Sequence, residues 1–448
     1  MRKNIRILGS VLALTLVLGL LATTVFAGTP TYDPHLVTVG FDTLGPPGTA
    51  FNSEIVVDAA RKFAYVGTVD FSIFAGLPPV DISVKAVDVS DPAHPVMTDA
   101  EPAVGDNGPF DVKIAGNVLA ASTQDFTAAS NPGITLMDIS NPADPVQVSH
   151  LGSAALSSPS GSHNSFLWQD PQTGKIWLFA TGLDLTSLKI YDVTNPAAPV
   201  FKAEYHNGAP YVHDNFVQEN SGRVLEYQAG SIGVEILDVT RIVRGGQTGM
   251  LTSADVVALN HYTSDPADAA TVTRPGFAHY VEPTESGDVT WVGDEAECGK
   301  PAIIRSFDTS NLPMPGAPQK FLVELGTIID VPDVVMCSGL IHGGSSNAQS
   351  HAYRWTGHNF DIWGNGLLIR GDYGRGVSVY DIANPAAAVR VAMSRALNQL
   401  VGAENKAQPG REKFLENYPF FWQAVYDGDL IYGSNINQGL FVLDLLGD

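Results

Sequence analysis

Residues 188–200 read LKIYDVTNPAAPV, and this stretch contains the pattern that decides the fold. Apolar Leu188 and Ile190 alternate with more polar neighbours, and an alternation with a period of two is typical of a half-buried β-strand. Asp192 can accept hydrogen bonds from nearby backbone amides, while Pro196 fixes φ and donates none. The stretch therefore predicts a strand that ends at the aspartate and is followed by a tight turn.

Seven stretches of the sequence share this pattern. Each has an apolar residue four positions before an aspartate, and most continue into an Asn-Pro or Asp-Pro turn. The aspartates are Asp88, Asp138, Asp192, Asp238, Asp308, Asp381 and Asp444. A unit that recurs with a period near 50 residues indicates a propeller or a solenoid. Because these aspartates end strands, we expect them to cap turns rather than to form carboxylate pairs for catalysis.

Each unit contains further strand signals on both sides of the aspartate. Upstream lie two apolar strands around a Gly-containing turn, as in FDVKIAGNVLAAS from Phe110 and AVYDGDLIYGS from Ala424. Downstream lies an outer strand such as VFKAEYH from Val200. Short strands separated by Gly and Pro turns favour four-stranded blades. The sequence thus predicts an all-β fold, a seven-bladed β-propeller.

The two ends of the chain predict how the ring closes. The last unit has only three strands, because the sequence stops shortly after Asp444. An orphan strand, HLVTVGFDT from His35, precedes the first complete unit and matches the missing outer strand. We expect the N-terminal strand to pair with the C-terminal three strands, which would leave no exposed edge in the ring.

The repeat resembles that of the LVIVD-repeat family, whose units look like AHDVAVSGNYAYVA followed by LQVVDVSDPANPV. The matching pieces here include YVHDNFVQENSGRVLEY from Tyr211 and VKAVDVSDPAHPV from Val84. The resemblance covers nearly all of the chain after residue 27 and implies a β-propeller on secreted and cell-surface proteins of bacteria or archaea. It implies little chemistry, since most members have no assigned activity.

Residues 1–27 read as a secretory signal peptide. They combine three basic residues near the start, a largely apolar run and a cleavage site of the small-residue type at Ala27. The alternative is an uncleaved membrane anchor, because the apolar run approaches the length of a membrane span. With cleavage we expect one propeller domain over 28–448, without a transmembrane segment and located outside the cell or in its envelope.

The charge restricts the classes of partner. The chain carries 47 acidic and 25 basic residues, a net charge of −22. Such an acidic protein repels nucleic acid and anionic lipid. We therefore expect no nucleic acid partner, although the charge does not by itself indicate a ligand. The expected partner is an extracellular protein or glycan that the sequence does not identify, and the propeller is expected to be a monomer.

The two cysteines, Cys298 and Cys337, are expected to form a disulfide. They lie in loops that should emerge on the same face of the propeller, and the expected compartment is oxidising. Two free thiols and a two-thiolate metal site are the alternatives.

Long connections are predicted to crowd that face. The largest are the Gly/Ser-rich residues 326–357 and residues 395–419, which contain helical patterns. We expect these loops to cap the face on which the ligand binds.

Four histidines are predicted to gather at the propeller axis on the loop-covered face. Three of them, His163, His213 and His358, begin the inner strands of blades three, four and six. His279 lies near the same level in blade five, offset by two residues. Converging imidazoles could hold iron, copper or zinc. The alternatives are acid/base catalysis and a structural histidine that belongs to the repeat and donates to a carbonyl group. The equivalent positions in blades two and seven are expected to be Phe110 and Phe421.

Further side chains are expected near the same mouth. His342 and His351 belong to the lid, and Trp355, Trp363, Phe421 and Trp422 could stack on a sugar or a peptide side chain or belong to the core. No serine lies in a G-x-S-x-G motif. The sequence favours a secreted, non-catalytic binding or scaffold module. The alternative is a metal-dependent oxidoreductase or hydrolase that uses the four axial histidines.

Overall fold

A computed structural model describes fourteen segments of the chain. These are residues 36–45, 51–70, 82–105, 108–125, 130–181, 187–206, 212–231, 233–261, 277–295, 302–330, 357–372, 376–394, 421–436 and 438–445. None of the helices in these segments is long and apolar enough to span a membrane.

The described segments form seven sheets, one after another along the chain. Strand β1 (Leu36–Asp42) comes first. Blade one then comprises β2 (Phe51–Asp58), β3 (Phe63–Val69), β4 (Ser83–Asp88) and β5 (Val96–Pro102). Blade two comprises β6 (Pro109–Ala115), β7 (Val118–Thr123), β8 (Gly133–Asp138) and β9 (Val146–Gly152), followed by the short helix α1 (Ser153–Leu156).

Blade three is built from β10 (Ser165–Gln169), β11 (Ile176–Ala180), β12 (Ser187–Asp192) and β13 (Val200–His206). Blade four contains β14 (Val212–Asn220), β15 (Arg223–Gly230), β16 (Gly233–Asp238), helix α2 (Thr240–Val243), β17 (Gly249–Leu251) and β18 (Val256–Asn260). Blade five contains β19 (Phe277–Pro283), β20 (Val289–Glu295), β21 (Ala302–Asp308), β22 (Lys320–Phe321) and β23 (Glu324–Asp330).

Blade six comprises β24 (Gly357–Trp363), β25 (Leu367–Asp372), β26 (Gly376–Asp381) and β27 (Val389–Ser394). Blade seven comprises β28 (Phe421–Tyr426), β29 (Ile431–Asn435) and β30 (Gly439–Leu445). The first strand, β1, completes this last sheet by pairing antiparallel with β30, from Leu36 opposite Leu445 to Asp42 opposite Leu440. The fold is therefore the predicted all-β, seven-bladed propeller.

Blades three and four each carry a fifth strand that the sequence pattern does not predict. Strand β17 leaves blade four and pairs in parallel with β13 of blade three. Strand β22 leaves blade five and pairs in parallel with β18 of blade four. Both come from insertions between the third and fourth strands of a blade, so each insertion reaches back to the blade before it.

The core lies between neighbouring blades rather than within one sheet. Between blades two and three, for example, Ile134 and Leu136 pack in one cluster with Leu178 and Tyr191, and all four side chains are buried. Strands in the middle of a blade are covered on both faces by their neighbours, which explains their continuous apolar character.

Six of the seven repeated aspartates cap turns, as predicted. In blade two the Asp138 Oδ1 atom accepts hydrogen bonds from the Ser140 backbone amide at 2.8 Å and from its hydroxyl at 2.6 Å. These bonds lower the pKa of Asp138. The same bond to the amide two residues later is made by Asp88, Asp192, Asp238, Asp308 and Asp381.

Replacing Asp138 with Ala is expected to lower the free energy of unfolding by about 1 kcal/mol, because the turn amide loses its acceptor. Asp144 lies exposed in the same turn and is the matched control, for which we expect a change within about 0.5 kcal/mol. Denaturant unfolding measures both values. Equal effects of the two substitutions would show that the repeated aspartate does not stabilise the turn.

Candidate functional site at the propeller axis

Several inner strands each place one residue at the propeller axis, at a point where the strand pairing is irregular. The register of the first two strands of a blade shifts near the start of the inner strand in blades two, four, five, six and seven. In blade three the corresponding residue lies two positions before the strand. The residues at these points are Phe110, His163, His213, His279, His358 and Trp422.

These six side chains form a closed belt of rings, which we call the axial belt. Each ring lies beside the next one in blade order. The successive distances between ring centroids are 5.2 Å for Phe110–His163, 4.6 Å for His163–His213, 4.0 Å for His213–His279, 4.4 Å for His279–His358, 4.6 Å for His358–Trp422 and 6.2 Å for Trp422–Phe110. The structure thus brings the four sequence-predicted histidines together at the axis.

The blade-seven member of the belt differs from the expectation. Trp422, rather than Phe421, occupies the position equivalent to Phe110. The register shift between Phe421 and Gln423 sets Trp422 apart from the regular pairing, whereas Phe421 pairs with Asn435. Phe421 is fully buried and packs against Phe441 in the core. Of the two roles that the sequence left open for Phe421, its position in the core agrees with packing and not with a binding mouth.

Hydrogen bonds hold three of the imidazoles by the same nitrogen. The Nδ1 atoms of His213 and His358 lie 2.9 Å and 2.8 Å from the carbonyl oxygens of His279 and Trp422. The Nδ1 atom of His163 lies 2.8 Å from Oε1 of Gln124. Because the acceptors are oxygens, Nδ1 must carry the proton, which leaves the lone pair on Nε2.

The belt histidines are neutral at pH 7. Burial lowers the pKa of His163 to about 4 and that of His358 to about 3. Burial also lowers the pKa values of His213 and His279 well below the usual value, and the neighbouring imidazoles add to the effect. A cation in the belt would lose its hydration, so the rings pack as uncharged groups.

The belt meets only part of the requirements for a metal centre. Histidines that bind metals usually donate their second ring nitrogen to an oxygen atom, as His163, His213 and His358 do. However, in the segments that the structure describes, no group of three His, Cys, Asp or Glu side chains is arranged to hold a metal ion. His213 and His279 pack with their ring planes only 37° apart. The iron, copper or zinc site stays a prediction.

A buried ionic cluster follows the belt along the inner strands, and the sequence interpretation missed it. Lys113 Nζ contacts Asp111 and lies 2.9 Å from Glu54 Oε1, while Asn359 donates to the other oxygen of Glu54 at 2.8 Å. Asp214 is 1% exposed and also interacts electrostatically with Lys113. A lysine within the apolar run FDVKIAG was the available signal. We call these five residues the axial ion cluster.

Opposing effects set the protonation of this cluster. Burial raises the pKa of Glu54 to about 7, although Lys113 lowers it, and burial raises the pKa of Asp214 well above its usual value. Burial lowers the pKa of Lys113, but the carboxylates of Asp111 and Glu54 raise it by more. Lys113 therefore remains charged, and it compensates for the carboxylates around it.

The ends of the inner strands opposite the axial belt surround a cavity of about 720 Å³, which we call the axial cavity. Five blades contribute to its wall, from the first hairpin of blade two to that of blade six. Its aromatic and acidic lining residues are Phe166, Trp168, Phe216, Trp363, Glu219, Glu282 and Glu285. Its volume is within the usual range for small-molecule sites.

Trp363 lies at this cavity and not beside Trp422. His358 begins strand β24 and touches Trp422 at the start of β28, whereas Trp363 ends β24 and packs at 5.2 Å against Tyr426 at the end of β28. The expectation that Trp363 and Trp422 share one mouth is therefore corrected, because the length of a strand separates them.

Other predicted site residues lie outside the described segments. They are Cys298, Cys337, His342, His351 and Trp355, together with most of the loops 326–357 and 395–419. The predicted disulfide, the lid and the capping of the face by these loops remain predictions.

Comparison with known proteins identifies the repeat. A family model described as the LVIVD repeat matches residues 126–151, which include the blade-two stretch ITLMDISNPADPV. The match falls in blade two. Each of the seven sheets contains the corresponding strand, with a repeated aspartate at or next to its last position. The chain carries an LVIVD repeat on a seven-bladed β-propeller. The family match carries no activity with it, so the function of this LVIVD-repeat propeller must be argued from its site.

Two other comparisons add little. No curated protein matches this LVIVD-repeat propeller. Among solved structures it is similar to the computationally designed Ika8 protein, whose crystal structure was determined in space group P63. The similarity covers 90% of this chain and all of that one, at 9% identity and a TM-score of 0.47.

Proposed function

We propose that this LVIVD-repeat propeller is a secreted, non-catalytic binding module at the cell exterior. The observation that carries the proposal is the axial cavity, whose lining of aromatic rings and carboxylates is typical of a ligand site. At the other end of the inner strands the belt histidines are neutral and pack on one another, as expected for rings with a structural role. An extracellular protein or glycan would occupy the cavity, which lies at the end of the inner strands opposite the axial belt and not on the loop-covered face where the sequence predicts the ligand.

The proposed location rests on the sequence. Residues 1–27 have the composition of a cleaved signal peptide, and the net charge of −22 suits a solvated surface that faces neither nucleic acid nor anionic lipid. Cleavage would release residues 28–448 as one propeller, with Cys298 and Cys337 in an oxidising compartment.

A photo-cross-linking experiment tests the binding role. A photoreactive amino acid replaces Asn365, an exposed residue in the hairpin next to Trp363, or Gln147, an exposed residue on the outer strand β9. After irradiation of producing cells, mass analysis of the exported protein should show a discrete adduct from position 365 and none from position 147. Absence of an adduct at position 365, or equal adducts at both positions, would contradict a ligand at the cavity.

The second candidate is a metal-dependent oxidoreductase or hydrolase at the axial belt. The shared Nδ1 orientation of His163, His213 and His358 favours it. Elemental analysis of the exported protein, purified without chelating resin, tests this alternative. Stoichiometric iron, copper or zinc that is lost on changing His213 and His358 to Ala would support it, and a folded protein without metal would contradict it.

A further inference from the structure

The aromatic side chains of the axial cavity present ring surfaces at two places. Phe166 and Phe216 form a pair with centroids 4.6 Å apart. On another side of the cavity Trp363 is 46% exposed and is supported edge-on by Tyr426 at 5.2 Å. A large aromatic ring held rigidly at a cavity wall is suited to contact with an apolar or cationic group.

Two carboxylates of the cavity lack a basic partner in the described part of the chain. Glu219 is compensated by Arg244 at 2.5 Å, but Glu282 and Glu285 form no ion pair with any described lysine or arginine. Glu282 is 5% exposed and accepts hydrogen bonds from the Tyr280 hydroxyl at 3.1 Å and from the Ile362 amide at 3.2 Å. The cavity therefore combines carboxyl groups that have no described basic partner with aromatic surface.

The positions of Glu285 and Trp363 join these two features. The Glu285 amide donates to the carbonyl oxygen of Gly364 at 2.9 Å. A Cβ atom built on Gly364 would lie 3.6 Å from Glu285 Oε2, so the carboxylate lies beside the residue that follows Trp363. No described cation lies over the Trp363 ring.

At another part of the cavity wall, the protein holds one of its own guanidinium groups between an aromatic ring and carboxylates. The Arg244 guanidinium lies 5.8 Å above the ring of Trp168 and pairs with Glu219 and with Asp170 at 2.7 Å. This internal contact joins an aromatic face, a carboxylate and a planar cation. Trp363 and Glu285 offer the same two groups to a cation from outside.

We propose that the axial cavity binds an organic cation, a guanidinium or alkylammonium group, between the Trp363 ring and the carboxylates of Glu285 and Glu282. The inference rests on the proposed binding function and specifies its ligand class. Free small molecules and basic side chains of a protein partner share this chemistry. The negative net charge of the chain favours the approach of a free organic cation and of a basic protein segment alike.

Binding should strengthen as the pH rises. Burial raises the pKa of Glu282 well above its usual value, and Asp361 raises it further, whereas the Ile362 amide, the Tyr280 hydroxyl and Lys113 lower it. A bound cation favours the ionised carboxyl group, so binding must displace a proton whenever Glu282 is protonated. Affinity for the cation is thus expected to increase with pH until Glu282 is ionised in the free protein.

Titration with matched ligands tests the proposal. The probes are N-acetyl-arginine amide against its neutral citrulline analogue, choline against neutral 3,3-dimethylbutanol, and a five-residue peptide with a central arginine. Binding is followed by calorimetry and by tryptophan fluorescence, to which Trp168 and Trp363 at the cavity contribute. Each cation should bind at least about tenfold more tightly than its neutral analogue. Tighter binding of the peptide than of arginine amide would indicate a protein partner, and the reverse order a free cation.

Cavity variants with matched controls complete the test. Glu282→Gln and the exposed Glu285→Gln should each weaken cation binding about tenfold, whereas Glu324→Gln on the outer strand β23 should not. Trp363→Leu should weaken cation binding more than Phe201→Leu, an exposed residue on β13. If the neutral analogues bind as tightly as the cations and Trp363→Leu abolishes their binding, the cation inference is overturned. The binding function is then left intact. Failure of all the probes to bind would also overturn it, while the adduct at position 365 would still test the binding function.

Discussion

Replacing Lys113 with Met is expected to lower the free energy of unfolding by about 3–5 kcal/mol at pH 7, because removal of one partner leaves buried charges uncompensated. Lys113 is the only described cation that contacts Glu54 and Asp111, and it also attracts Asp214. Methionine keeps most of the volume of the side chain but supplies no charge. Denaturant unfolding followed by circular dichroism measures the change.

An exposed ion pair gives the matched control for this substitution. Lys175 pairs with Asp192 at 2.9 Å with its side chain 47% exposed, and Lys175→Met should cost less than about 1 kcal/mol. A second substitution, Glu54→Gln, should restore part of the stability that Lys113→Met removes, because it takes away one of the unpaired carboxylates. If Lys113→Met destabilised the protein no more than Lys175→Met, the axial ion cluster would not depend on the lysine charge.

The cost of Lys113→Met should also decrease at acid pH. Burial raises the pKa of Glu54 in the folded protein from 4.5 to about 7, so well below pH 7 the buried carboxyl group is protonated and needs no counter-ion. Loss of the lysine would raise this pKa further. A smaller effect at pH 5 than at pH 8 is therefore expected, and an unchanged effect would contradict the electrostatic explanation.

Replacing His358 with Phe is expected to reduce the loss of stability that the protein suffers on acidification. The pKa of His358 falls from 6.5 to about 3 in the folded protein because the ring is buried. Below pH 6.5 the unfolded chain takes up a proton that the folded chain does not, so stability is lost as the pH falls from 6.5 toward 3. At pH 4 this one residue accounts for about 3 kcal/mol.

The comparison is between the pH profiles of unfolding free energy, not between values at one pH. Phe fits the position in principle, because Phe110 and Trp422 occupy it in blades two and seven. Loss of the bond from Nδ1 to the Trp422 carbonyl should cost about 1–2 kcal/mol at every pH. His94→Phe, in an exposed turn, is the control. Parallel profiles for the wild type and His358→Phe between pH 7 and pH 4 would disprove the linkage.

The fold could be predicted from sequence because the repeat fixes each blade locally. The alternation before Asp138 and the prolines after it specify a strand and a turn without reference to distant parts of the chain. The fifth strands could not be predicted in this way, since GML at 249–251 and KF at 320–321 are too short to show a period. Their pairing depends on contacts with another blade.

The candidate site was predicted only where it follows the repeat. Three histidines were placed at one position of the repeat and His279 two residues away from it, and the four rings are neighbours at the axis. Trp422 was missed because a register shift moves the axial position by one residue relative to Phe421, and no local pattern marks the shift. Glu54, Lys113 and Asp214 come from three different blades, so their contact depends on closure of the ring.

The added strands β17 and β22 affect where two propeller molecules could join through the edges of their sheets. They cover part of the outermost strands of blades three and four, whose free amide and carbonyl groups would otherwise be open to another chain. The outermost strands of the other five blades have no such cover among the described strands, and those of blades one, two and six also begin with an exposed valine, Val96, Val146 or Val389. Lateral assembly by strand addition, if conditions force it, would begin at these three blades.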